Sequence, residues 1–176
     1  VGFRARFQLP PGAMYLFVGR LDPVKGPDLL LEAFLRCPDA GSYHLVFAGP
    51  DSGMGEALRD RARGLEDRIH FLRYVGGSDK WTAYTTADLV VIPSRNEAMS
   101  IVVLEAGLAG TPVLITDQCG FPGVEDVDGG LVVSATVDGL MDGMRTLLSD
   151  ADELPSKGRR LPTLVLDQYT WESVVT

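Results

Sequence analysis

Two glutamates, Glu97 and Glu105, stand with seven residues between them in the stretch PSRNEAMSIVVLEAGLAGTPV, residues 93–113. Far upstream, GRLDPVKG sets Gly19-Arg20 and Lys25-Gly26 between an apolar run and a leucine-rich segment. A planar guanidinium fork and a lysine point charge suit a diphosphate, and carboxylates grip vicinal hydroxyls. Glu97 falls on a loop at a strand's end, and Glu105 falls about one turn into the helix that begins near Ser100. The first-turn N–H groups of such a helix form a ready anion site. A carboxylate beside an anion site needs a reason, and sugar or ribose hydroxyls supply one. The plainer alternatives are solvated loop cations at Arg20 and Lys25 and a surface-paired helix glutamate at Glu105. A glycosidase acid–base pair would need its carboxyl groups roughly 5–9.5 Å apart, and it leaves Arg20 and Lys25 without a purpose.

Other candidates carry less. The glycines Gly49, Gly53 and Gly55 follow a strand, but their spacing is not that of a dinucleotide fingerprint, so an ordinary strand-to-helix loop is expected. His44 and His70 sit at or in strands and read as structural. Phe17, Phe47 and Phe71 read as core, Trp81 and Tyr84 as inward-packing, and Asp88 as a turn residue. The sequence offers no defensible serine–histidine–aspartate arrangement and no metal-ligand cluster. Cys37 and Cys119 fit neither a disulfide framework nor a zinc spacing, so reduced structural thiols of a cytosolic protein are expected.

The elements that must position these residues alternate. Apolar runs at residues 15–18, 44–48, 68–72, 89–92, 112–116 and 130–133 read as strands. Residues 28–35, 56–64, 79–86, 100–109 and 137–148 read as helices, with Pro27 as a first helical position and Ser78 as a cap. Apolar runs that do not alternate with polar residues suit a parallel sheet covered on both faces. The expectation is a Rossmann-like doubly wound α/β sheet of about six strands over residues 1–150, whose ligands bind at the strands' carboxyl edge. Residues 150–161 are polar and carry Pro155 and Gly158, which reads as a linker. A tail with Leu164, Val165, Tyr169 and Trp171 should form a closing helix that packs on the domain or on an absent partner domain.

A chain of 176 residues with 45 % hydrophobic content is long enough for one ordinary domain. A net charge of −8 excludes the basic footprint of a general nucleic-acid binder. No apolar run approaches the ~18 residues of a membrane span, and no signal peptide opens the chain. The first residue, Val1, suggests a piece of a longer protein.

The pieces VGRLDPVKG, HLVFAGP, DRIHFLRYV, TTADLVVIPSRNEAMSIVVLEAGLAGTPVL and DGGLVV occur in an order that resembles the carboxy-terminal domain of GT-B retaining glycosyltransferases of family 4. The resemblance covers roughly residues 4–149 and continues into YTWESVV. It implies a nucleotide-diphosphate sugar as donor, with no cofactor and no metal. Arg20 and Lys25 would hold the diphosphate, and Glu97 would face the transferred sugar, which makes these three the catalytic candidates. Glu105 would hold the ribose hydroxyls. The main chain of Met99, Ser100, Ile101 and Val102 would contact sugar and phosphate, beside Gly19, and Arg73-Tyr74 would lie near the base. The family often has a glutamate at the position directly after Pro122; this sequence departs from that pattern, with Gly123 there and Glu125 two residues later. The acceptor, whether glycan, lipid or small molecule, would be bound by an amino-terminal domain that this chain does not contain. The chain alone should therefore bind donor weakly and transfer nothing. The full-length protein is expected in the cytoplasm, with peripheral membrane association open. A non-catalytic nucleotide-sugar binding module, a sugar-nucleotide epimerase and a phosphorylase are the other readings.

Overall fold

A computed structural model describes residues 2–37 and 42–169. Its centre is one sheet of six strands: β1 (Ala13–Val18), β2 (Tyr43–Ala48), β3 (Ile69–Leu72), β4 (Leu89–Ile92), β5 (Val113–Thr116) and β6 (Gly130–Val133). The spatial order is β3-β2-β1-β4-β5-β6, and every neighbouring pair is parallel. Parallel strands need crossovers; α1 (Phe3–Arg6) precedes the sheet, α2 (Pro27–Arg36), α3 (Gly55–Arg61), α4 (Gly77–Thr86), α5 (Ile101–Leu108) and α6 (Gly123–Asp126) supply the crossovers, and α7 (Val137–Leu148) follows the last strand. The chain continues through a 3-10 turn (Ala151–Glu153), α8 (Leu154–Gly158) and α9 (Leu161–Gln168). This is the expected doubly wound Rossmann-like sheet.

Successive strand residues point to opposite faces, so each strand feeds two cores. Tyr15, Phe17, Leu45, Phe47, Leu89 and Val91 face one way and meet Leu30, Phe34 and Leu58 of α2 and α3 and Leu140, Met144 and Leu147 of α7. Met14, Leu16, Val46, Val90, Ile92 and Ile115 face the other way and meet Tyr84, Val103, Ala106, Leu161 and Leu164 of α4, α5 and α9. Burial on both faces is why these strands carry unbroken apolar runs.

Four expectations need correction. Ser78 does not cap a helix: α4 starts at Gly77, its N-cap is Gly76, and the Ser78 carbonyl accepts the Thr82 hydroxyl within the first turn. Trp81 does not pack inward but stands 48 % exposed, while Tyr84, one turn further along α4, is buried. Phe71 is only half-buried, because β3 is an edge strand; its ring stacks on Phe47 with centroids 5.0 Å apart. Residues 150–161 are not an open linker, since Leu154 and Leu161 are buried anchors of two short helices. Leu164 and Val165 are buried as the tail's stripe demands, and Tyr169 meets the Phe121 ring at 4.4 Å. Trp171 and the rest of YTWESVV after Tyr169 lie outside the described residues.

Candidate functional site

Strand order reverses between β1 and β4, and open α/β sheets bind ligands in the crevice this creates at the strands' carboxyl ends. Every sequence-predicted site residue lies at that edge or on the helix leaving it. Gly19, Arg20 and Lys25 are on the loop after β1. Arg73 and Tyr74 follow β3. Glu97, Met99 and Ser100 follow β4, and Ile101, Val102 and Glu105 belong to α5.

The loop after β4 is held from both sides. The Arg95 N–H donates to the Val24 carbonyl at 2.8 Å, and its guanidinium donates to the Pro23 carbonyl and, bidentately at 2.8 and 2.7 Å, to Asp28 of α2. On the β5 side, the Glu97 N–H donates to the Gln118 carbonyl and the Ser100 N–H to the Cys119 carbonyl. Gly26 and Gly120 let the neighbouring loops approach this closely. A Cβ on Gly26 would sit 2.1 Å from the Pro93 oxygen, and one on Gly120 would sit 2.2 Å from the Ala98 oxygen. Both have positive φ, 67° and 69°, where side chains are strained.

This frame joins Lys25 to Glu97 across the reversal point: the ammonium donates to Oε1 of Glu97. The Glu97 side chain is 9 % exposed and that of Lys25 27 %. Burial and the charge of Arg20 pull the Lys25 pKa below the ordinary lysine value, and the charge of Asp22 opposes that pull. Arg20 donates to Asp22 at 2.8 Å. Burial works to raise the Asp22 pKa, but the Lys25 N–H and the Arg20 guanidinium outweigh it and hold the carboxyl below its usual range. Three polar atoms of residues 94–100 are buried without a protein partner: Ser94 Oγ, Glu97 Oε2 and Ser100 Oγ. Ser100 is the N-cap of α5, yet its hydroxyl caps nothing. The first turn of α5 also has no acidic side chain. Buried polar atoms normally find partners, and these three orphans lie together on one loop at the carboxyl edge of the sheet.

Glu105 belongs to a second cluster. It accepts the Tyr84 hydroxyl at 2.6 Å and the Lys80 ammonium at 2.7 Å. Lys80 connects this cluster to the β1 loop, because a cavity of ≈ 230 Å³ is lined by Gly19, Arg20, Gly49, Tyr74 and Lys80. Arg73 and Tyr74 line an adjoining cavity with Gly49, Asp51 and Arg59, and Tyr74 is 76 % exposed. The Gly49–Gly55 loop contributes Gly49 to both cavities, and within it Asp51 accepts from the N–H groups of Gly53 and Gly55. Glu125 is turned to other use, its carboxylate accepting the Val132 N–H of β6.

Sequence reasoning missed Asp22, Asp28, Lys80, Ser94 and Arg95 as site-shaping residues, and it read Tyr84 only as packing. One signal was available. Lys80 and Tyr84 are four apart on a helix, hence on one face. No group of three or more metal-ligating side chains occurs among the described residues, and none of their helices is long and apolar enough to cross a membrane.

Fold and crevice together define a Rossmann-type domain whose switch-point crevice gathers cations, a helix N-terminus and two carboxylates. The chain belongs to the glycosyl transferases group 1 family, whose model matches residues 4–160. The D-inositol 3-phosphate glycosyltransferase of Mycolicibacterium smegmatis is 34 % identical over 98 % of this chain, which spans 40 % of that relative. Among solved structures, the C-terminal domain of the group 1 protein LpcC from Francisella tularensis superposes with a TM-score of 0.83 at 21 % identity, covering 96 % of this chain and 92 % of that one. Anabaena Alr3699/HepE, solved in complex with UDP-glucose, superposes with a TM-score of 0.78 at 22 % identity, covering 92 % of this chain and 46 % of that one. Neighbours of this kind agree with the expectation of one half of a GT-B fold.

Proposed function

We propose that the chain is the donor-binding half of a retaining glycosyltransferase that takes a hexose from a nucleotide-diphosphate sugar. The carrying observation is the loop of residues 94–100. It holds three buried polar atoms without protein partners, beside Lys25 and at the start of α5. In this reading Arg20, Lys25 and the α5 N-terminus neutralise the diphosphate, the part a metal ion would otherwise take. Glu97 Oε2 accepts a hydroxyl of the transferred sugar, Glu105 holds the ribose, and Arg73-Tyr74 flank the base. As the sugar–phosphate bond breaks, negative charge grows on the leaving diphosphate and the sugar becomes oxocarbenium-like. Fixed cations and N–H dipoles aimed at that charge lower the barrier. The UDP-glucose complex of the Anabaena neighbour supports a nucleotide-linked hexose. The acceptor belongs to a second domain, so this chain by itself binds donor without transferring.

Calorimetry with nucleoside diphosphates tests the reading. Arg20→Ala and Lys25→Ala should each weaken diphosphate binding by roughly ten- to a hundredfold, the worth of one charge-assisted hydrogen bond. Binding of the bare nucleoside should change little. Unaltered diphosphate affinity in both variants would refute the assignment.

A further inference from the structure

Glu105 is held by two partners of very different character. The Tyr84 hydroxyl donates to Oε2 at 2.6 Å. The Lys80 ammonium spans both oxygens, 2.7 Å from Oε1 and 2.6 Å from Oε2. Tyr84 is anchored: it is buried in the core, and its carbonyl accepts the Thr111 hydroxyl at 2.7 Å. Burial, the hydrogen bond to Glu105 and that group's charge all push the Tyr84 pKa far up, so its hydroxyl stays a donor at any working pH. The Lys80 side chain is about a third exposed, sits on a flexible four-carbon stem and lines the cavity shared with Arg20 and Tyr74. An ionised carboxylate offers about four lone-pair positions. Tyr84 takes one of them on Oε2, and Lys80 bonds Oε1 while crowding Oε2, so both oxygens cannot accept a pair of vicinal hydroxyls while the lysine stays.

Building on the donor-site reading above, we propose that Tyr84 is the fixed positioning residue of the diol-binding carboxylate Glu105 and that Lys80 is its displaceable counter-ion. The two hydroxyls of a ribose replace the lysine, while the tyrosine keeps the carboxylate aimed. The released ammonium faces the cavity that also holds Arg20, on the side where a diphosphate would carry its charge.

The test is a ratio of affinities. Calorimetry on the chain compares uridine diphosphate with its 2′,3′-dideoxy analogue, and guanosine diphosphate with its own analogue. The native chain should prefer the ribose form of the nucleotide it binds by about tenfold. Tyr84→Phe should cut that preference severalfold while leaving affinity for the dideoxy form in place. Lys80→Met should enlarge the preference severalfold, because a competitor for the carboxylate is gone. If the cluster merely tied α4 to α5, Tyr84→Phe would weaken both ligands alike and the ratio would not move. A native ratio in Tyr84→Phe, or a native or lost ratio in Lys80→Met, overturns the proposal. The Lys80 arm decides the matter by itself if Tyr84→Phe fails to fold. A native chain that binds both forms equally removes the ribose role of Glu105 and this proposal with it. A native chain that binds none of the four removes the donor site as well.

Discussion

At the scale of single residues, the site is a set of charges that the protein has already partly satisfied. Glu97 gives one oxygen to Lys25 and keeps the other buried and unpartnered. The pair therefore belongs to folding as well as to binding. Removing the lysine alone leaves a carboxylate largely shut off from water, which is the expensive way to break such a pair. Lys25→Met should lower the unfolding free energy by about 2 kcal/mol, less than for a fully dry pair because Lys25 still reaches solvent. The double variant Lys25→Met/Glu97→Gln should recover most of that loss. Urea denaturation of the two variants and of Glu97→Gln alone closes the cycle. If the double variant were as unstable as the sum of the single ones, the pair would be uncoupled and the Glu97 environment misjudged. The spacing of Glu97, Glu105, Arg20 and Lys25 was legible in the sequence because each type has a distinctive chemistry at a strand's end. That Lys25 meets Glu97, and that Lys80 and Tyr84 meet Glu105, was not legible. Those contacts join segments 72, 25 and 21 residues apart, and only the packing decides them.

At the scale of elements, the loop after β4 is clamped between the loops after β1 and β5. Most strand and helix positions could be read from periodicity, because long apolar runs and amphipathic stretches leave a strong pattern. α1 and α6 have four residues each, about one turn, and leave no period to read. The start of α4 is set by backbone rather than by a side-chain cap: Gly76 is extended and Gly77 has φ 57°. α8 was hidden by its proline and glycine, yet proline is well tolerated in a helix's first turn and Leu154 and Leu161 anchor the segment. The clamp itself makes a prediction. Gly120→Ala meets both a positive φ and the Ala98 carbonyl, whereas Gly64→Ala, at φ 86°, meets open space. Gly64→Ala should cost about 1 kcal/mol from backbone strain alone. Gly120→Ala should cost about 3 kcal/mol and also weaken nucleoside diphosphate binding, since residues 98 and 99 must shift. Equal costs in urea denaturation, with unchanged binding, would show that the β5 loop does not shape the site.

At the scale of the whole molecule, the strand–helix alternation made a parallel α/β sheet legible. It could not reveal the order β3-β2-β1-β4-β5-β6, because adjacency of strands leaves no mark in apolar runs. That order puts the loops after β1 and β4 side by side, and so determines which distant residues share a crevice. Nor did composition show that the segment after α7 is built into the domain. α9 lies on α5, the helix whose first turn faces the crevice. A Cβ on Gly107 of α5 would fall 2.8 Å from Val165, and one on Gly123 would fall 3.2 Å from Leu164. Leu161, Leu164 and Val165 are all buried in that contact. Each such side chain contributes about 1.5–3 kcal/mol on burial, so three of them rival the ~5–15 kcal/mol that holds an ordinary domain folded. A chain ending at Ser149 should therefore lose its cooperative melting transition or melt far below the full chain. It should lose nucleotide binding too, because α5 no longer has its outer support. Thermal and urea unfolding of the two chains measure this directly, and a truncated chain that melted like the full one would show that α9 only rests on the domain without stabilising the helix at the site.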